Sequence, residues 1–116
     1  MTHKDLKVYQ LSLEFVTMIY TITKDFPKLE EYGLISQLRR AAVSIPSNIS
    51  EGSSRNSTKE FIRFLNIASG SLSEVETQIE IAFRLNYIEN KEEIFDKIKT
   101  MRKMLYRLRE SLQKKI

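Results

Sequence analysis

Between Phe61 and Ala82 the apolar residues fall at alternating steps of four and three: Phe61, Leu65, Ala68, Leu72, Val75, Ile79 and Ala82. An α-helix brings such positions onto one side, and a stripe with this rhythm must be covered by helices crossing at a shallow, left-handed angle. Ile94, Ile98, Met101, Leu105, Leu108 and Leu112 keep the same spacing further along. Two such seams in 116 residues, with no candidate strand between them, point to an all-α chain. That length suits one domain, residues 1–116, around one core.

The rest of the chain reads as two more helices joined by short breaks. The first is expected to start near Asp5 as N-cap and to end at Phe26-Pro27, because proline disfavours helix in the residue before it. It carries two apolar stripes, Tyr9, Leu13, Val16 and Tyr20 on one face and Val8, Leu11, Phe15, Ile19 and Ile22 on a neighbouring one. One stripe is enough to join a bundle, so the other calls for a second cover, which in so small a chain would come from another subunit. The second helix runs from about Gly33 toward Gly52, with Leu34, Leu38, Ala41, Ala42, Ile45 and Ile49 facing inward. Pro46 inside it predicts a kink, or a break with Ser44 capping a restarted helix.

The third helix opens with the capping box Ser57-Thr58-Lys59-Glu60 and is expected to end around Leu85-Asn86. In the fourth, Asn90 is the expected cap with Glu93 three residues on. Gly70, within Ser69-Gly70-Ser71, costs roughly 1 kcal/mol against alanine at mid-helix, which predicts the close approach of another backbone. Short connections favour an antiparallel up-down-up-down four-helix bundle, its second helix kinked at Pro46.

Several function classes are poorly served by these residues. With no cysteine there is neither a disulfide nor a thiolate site, which fits a reducing compartment. No apolar run reaches the length of a membrane span, and the first residues lack the pattern of a secretory signal, so a cytoplasmic location is expected. The single histidine, His3, sits near a terminus, and no Glu-x-x-His pair of a di-iron bundle occurs. Glu74, Glu76 and Glu80 read as a solvated stripe rather than a catalytic pair. The polar run from Gly52 to Lys59 lacks the ending of a nucleotide-binding loop, though its amides and Arg55 would suit one phosphate. No enzyme activity and no cofactor are expected.

Charge is unevenly spread. The net charge is +4, and nine bases against four acids over residues 91–116 concentrate it in the last helix. Two basic groups are candidate nucleic-acid contacts. The first is Arg39, Arg40, Arg55, Lys59 and Arg63, around the second connection, where ion pairing with Glu51 and Glu60 is the competing reading. The second is Lys99, Arg102, Lys103, Arg107 and Arg109, with Tyr106 interleaved as on a single-strand platform. A solvated helix whose bases complement its own dipole is the alternative there.

The stretch Ser36-Gln37-Leu38-Arg39-Arg40-Ala41-Ala42-Val43-Ser44-Ile45-Pro46-Ser47-Asn48-Ile49-Ser50-Glu51-Gly52 resembles the signature of the four-helix-bundle proteins encoded in 23S ribosomal RNA intervening sequences. The likeness extends through Lys59-Glu60-Phe61, through residues 64–72 and Glu74-Val75-Glu76-Thr77-Gln78, and to Asp5-Leu6-Lys7-Val8-Tyr9 and Leu85-Asn86-Tyr87-Ile88. Ser50 stands where the family pattern usually has alanine, and Asn86 where it usually has glycine. The resemblance implies a small bacterial cytoplasmic protein that assembles as a ring-like homopentamer and has no established biochemical activity. It also implies kinship with the accessory variability determinant proteins of diversity-generating retroelements, basic pentameric barrels that bind nucleic acid and a reverse transcriptase. The expected function is therefore a non-enzymatic, oligomeric bundle that binds RNA or DNA through basic patches. The alternative is a protein-interaction scaffold for a neighbouring enzyme such as a reverse transcriptase.

Overall fold

The computed structural model describes residues 2–3 and 6–116. Four helices, α1 (Lys7–Thr23), α2 (Leu34–Ser53), α3 (Thr58–Arg84) and α4 (Glu92–Gln113), follow one another, with a short 3-10 turn at Lys28–Glu30. No strand occurs among the described residues. Each helix packs on its neighbours in the order α1, α2, α3, α4 and back to α1, so α1 and α3 stand diagonally across the bundle. Cross-helix pairs give the direction. Gln37 meets Gln78 and Ser44 meets Ser71, so seven residues forward on α2 is seven back on α3. Arg102 meets Glu76 and Arg109 meets Ser69, the same antiparallel relation between α3 and α4.

The core is the set of facing seams. Leu65, Ala68, Leu72, Val75, Ile79 and Ala82 of α3 are all fully buried, against Leu38, Ile45 and Ile49 of α2 and Ile98, Met101 and Leu105 of α4. Leu108 and Leu112, the last members of the α4 seam, are only half-buried. In α1 the stripe that turns inward is Val8, Phe15 and Ile19, whereas Leu13 and Tyr20 are 39% and 40% exposed.

Several ends differ from expectation. The Asp5 cap lies outside the described residues. α1 stops at Thr23, short of Pro27, because Asp25 and Phe26 donate to Ile22 and Thr23, tightening the last turn to i→i+3 bonds. Phe26 then folds into the core, its ring 5.3 Å from that of Tyr87. Tyr87 in turn donates to Glu30 Oε2 at 2.8 Å, while Glu30 Oε1 accepts the Leu34 amide, so one carboxylate ties two connections together. α2 runs unbroken through Pro46, and Ser44 caps nothing: its hydroxyl meets Ser71 and accepts from Asn48 Nδ2.

At α3 the Ser57 hydroxyl accepts the Glu60 amide at 3.1 Å, as a cap should, but the Glu60 carboxylate turns to Arg63 instead of closing the box. The helix ends with Asn86 at φ 64, left-handed backbone that asparagine tolerates. Asn90 Oδ1 accepts the Glu92 amide at 2.8 Å ahead of α4; Glu93 plays no reciprocal part.

The close approach expected at Gly70 is found at Gly52. A Cβ on Gly70 would meet nothing within 4 Å, whereas one on Gly52 would lie 2.7 Å from Phe64 Cβ and 3.0 Å from Phe61 Cδ1. Gly52 is where the end of α2 rests on the start of α3. The two glycines therefore respond oppositely to the same change. Gly52→Ala should destabilise by about 1–3 kcal/mol through overpacking. Gly70→Ala should stabilise by roughly 0.5–1 kcal/mol through helix propensity. Urea unfolding of both variants at low protein concentration checks the signs.

Candidate nucleic-acid interface

The first basic group does not form one patch. Arg39 and Arg40 lie in the first half of α2, and the fourteen residues from Arg39 to the helix end at Ser53, roughly 21 Å, put Arg55 at the far end of the bundle. Arg39 is committed inside the bundle: Nε donates to Thr23 Oγ1 at 2.9 Å, and the guanidinium lies 4.4 Å over the Tyr20 ring. Arg55 pairs with Glu51 at 3.4 Å, and Arg63 grips Glu60 through two hydrogen bonds. Both guanidinium groups also sit over the Phe64 ring, at 5.2 and 4.6 Å. Ion pairing with Glu51 and Glu60, the competing reading of this group, is found at Arg55 and Arg63. Arg55 is drawn to Glu51 and the Phe64 ring, and the Ser57 hydroxyl takes the Glu60 amide, so groups expected to hold a phosphate there have partners within the chain. Arg40 and Lys59 are exposed, without a side-chain partner among the described residues.

On α4 the candidates split by face. Arg102 NH2 donates to Glu76 Oε1 at 2.8 Å and to Ser73 Oγ at 3.3 Å, and Arg109 NH1 donates to Ser69 Oγ. These two arginines reach back onto α3. Lys99, Lys103 and Arg107 point away from it, exposed and without a salt-bridge partner among the described residues. Tyr106, 56% exposed, stands between the anchored arginines, one turn from each. Arg102, Lys103, Tyr106, Arg107 and Arg109 together line a concavity of about 560 Å³.

The acidic stripe of α3 is less solvated than its sequence suggests. Glu74 has no ion pair among the described residues; Glu76 holds Arg102, and Glu80 holds Lys91 at 2.6 Å and Arg84 at 3.4 Å. The Lys91 ammonium also lies 4.6 Å from the Phe83 ring centre and 5.2 Å from that of Phe95. The hydrogen bond from Lys91 holds the Glu80 carboxyl below its ordinary value, with Arg84 adding to it and partial desolvation opposing. Sequence reasoning missed the links to Lys91 and Arg102 because both partners come from beyond α3. Only the α3–α4 register brings Glu76 opposite Arg102.

On the opposite side of the bundle, the surplus stripe of α1 meets α2 in an open groove of about 540 Å³, lined by Tyr9, Leu13, Val16, Val43 and Pro46. A second hollow of about 560 Å³ continues from Val43 past Arg40 and Tyr20 to Tyr32, itself 92% exposed. No group of three or more histidine, cysteine, aspartate or glutamate side chains suited to a metal ion occurs among the described residues. None of the described helices is long and apolar enough to cross a membrane.

Comparison with known proteins gives likenesses of two kinds, in sequence and in structure. A family model described as 23S rRNA-intervening sequence protein matches residues 4–107. A crystal structure of a protein of unknown function from the S23 ribosomal protein family, from Bacteroides thetaiotaomicron, superposes with a TM-score of 0.63. The two chains are 27% identical, over 90% of this chain and 94% of that one. A search of the curated proteins finds no match.

The α3–α4 ion pairs make stability depend on pH in a definite direction. Glu80 has a depressed value in the folded chain, so its contribution is present above the unfolded-state value, about 4.3, and is lost as pH falls through the lower folded-state one. Glu80→Gln should therefore be less stable than the parent near pH ~7, and the difference should narrow by pH ~3, as the unfolded-state carboxyl takes up its proton. Urea unfolding of both proteins at the two pH values measures it.

Proposed function

The chain belongs to the 23S rRNA-intervening sequence protein family, and from that premise we propose that it is a non-enzymatic bundle that binds nucleic acid and self-associates. The observation that carries the binding half is the row of cations on α4 that the fold leaves unpaired. Lys99, Lys103 and Arg107 stand one turn apart along the outward side, roughly 6 Å per step, a spacing that suits successive phosphates of a polyanion. Arg102 and Arg109 flank them but are held by α3. Lys59 adds a further exposed charge at the start of α3, the end of the bundle where antiparallel packing also puts the α4 C-terminus. Arg39, Arg55 and Arg63 serve the fold instead, and Arg40 borders the α1–α2 hollow.

Such contacts are electrostatic and largely blind to base sequence. Affinity should fall steeply with salt, and the log–log slope should shrink by about one for each phosphate contact removed. Lys103→Gln and Arg107→Gln should each weaken binding and flatten that slope, while Arg63→Gln should leave both unchanged. Fluorescence anisotropy with a labelled RNA across a salt series reads all three. A slope near zero would defeat the reading.

The α1–α2 groove supports self-association, with the ring of five implied by family likeness as the expected form. Tyr9, Leu13, Val16 and Val43 make one contiguous apolar strip, of the kind that marks a protein interface. Several copies would gather several weak cationic rows on one strand, raising affinity by avidity. Leu13→Glu, at a groove residue that does not pack on the core, should leave a folded monomer, and light scattering should show the loss of mass. A parent chain that is already monomeric at high concentration would favour the second reading, a scaffold whose groove receives a different protein.

A further inference from the structure

The surface of α4 has a feature that phosphate binding alone does not use. Tyr106 is more than half exposed at the centre of the basic face, in a concavity of about 560 Å³ whose walls are its cationic neighbours. Two of those walls are fixed. Arg102, one turn before the tyrosine, is tied to Glu76 and Ser73, and Arg109, one turn after it, is tied to Ser69. Both arginines line the same concavity as the ring, one turn to either side of it, while Lys103 and Arg107, beside it, keep free charges. A packed aromatic would be covered, and a solubilising surface would place a charge rather than a ring there.

We infer that this pocket receives an unpaired nucleobase stacked on Tyr106, with the flanking phosphates on Lys103 and Arg107, so that the nucleic acid bound by α4 is single-stranded. The inference rests on the nucleic-acid reading above and narrows it. Every base offers a π-face, so stacking of this kind tolerates sequence yet discriminates against a duplex, whose bases are already stacked on one another. A polyanion without bases would satisfy the lysine and arginine but leave the ring unused. Anchored arginines also mean that the frame exists before the strand arrives, so little ordering is needed on binding.

The chain contains five tyrosines and no tryptophan, which gives a direct probe. In Tyr106→Trp the new indole reports on its own surroundings, and its emission should be quenched by a short single-stranded oligonucleotide but not by inorganic polyphosphate. By anisotropy, the parent should bind that strand more tightly than the matching duplex. Tyr106→Leu should bind it about tenfold more weakly with the salt slope unchanged, and Tyr106→Phe should restore it. Equal affinity for strand and duplex, no quenching and an unaffected Tyr106→Leu would overturn the stacking pocket while leaving phosphate binding standing. No binding to either nucleic acid would overturn both.

Discussion

The polar pairs that cross between helices hold the register on which everything else in this bundle depends. Apolar seams with a four-three rhythm are degenerate: sliding α4 along α3 by seven residues again sets apolar on apolar. What lifts the degeneracy is that one alignment partners the whole set of side chains at once: a slide of α4 by seven would keep Arg109 opposite Glu76 but leave Arg102 opposite Phe83. Gln78 faces Gln37 and Ser71 faces Ser44 across α2 and α3, while Arg102 with Glu76 and Arg109 with Ser69 cross between α3 and α4. Gln78 is buried, and its Oε1 lacks a protein partner. An unsatisfied buried acceptor costs about 1–3 kcal/mol. That cost is borne beside the seam, toward the C-terminal end of α3, where a polar residue restricts sliding against α2.

The same register decides which cations are left over. On α2 and α3 an acid lies one turn from most arginines, and Glu51–Arg55, Glu60–Arg63 and Glu80–Arg84 neutralise each other along their own helices. From Lys97 onward α4 has eight bases and Glu110 as its one acid, so local pairing cannot absorb them. Those facing α3 are absorbed by Glu76 and the serines of residues 69 and 73; those facing outward are not. A net charge of +4 thus becomes a row on one face rather than a diffuse excess.

How much of this could be read in advance depends on the range of the interaction. The seams of α3 and α4, the Ser57 cap and the stop at Asn86 are local signals, and each appears where its residues put it. The outward stripe of α1 was also legible, since a helix with two apolar faces can turn only one of them into a single core. Contacts between helices were not legible. Gly70 looks like a close-contact glycine and faces open space, while Gly52, at an apparent helix end, is the one pressed against Phe64. Arg39 looks like a surface base and lies on Tyr20, because nothing in its neighbourhood along the chain reveals that α1 passes beside it. Glu76 and Glu80 look solvated until α4 is laid against them.

The order of packing around the bundle separates its two unusual surfaces. α1 touches α2 and α4 but not α3, and α2 touches α3 but not α4, so the α1–α2 side and the α3–α4 side face opposite ways. The apolar groove belongs to the first and the framed tyrosine to the second. A second copy seated in the groove would leave Tyr106 and its cations uncovered. Burying a cationic row against a like-charged copy would be unfavourable, and the apolar strip on the far side offers a contact free of that repulsion. The division of labour follows from composition as well as geometry. α4 is on average the most polar of the four helices, whereas α1 has apolar residues to spare, and a four-helix ring in which they share an edge turns the surplus of one away from the charge of the other.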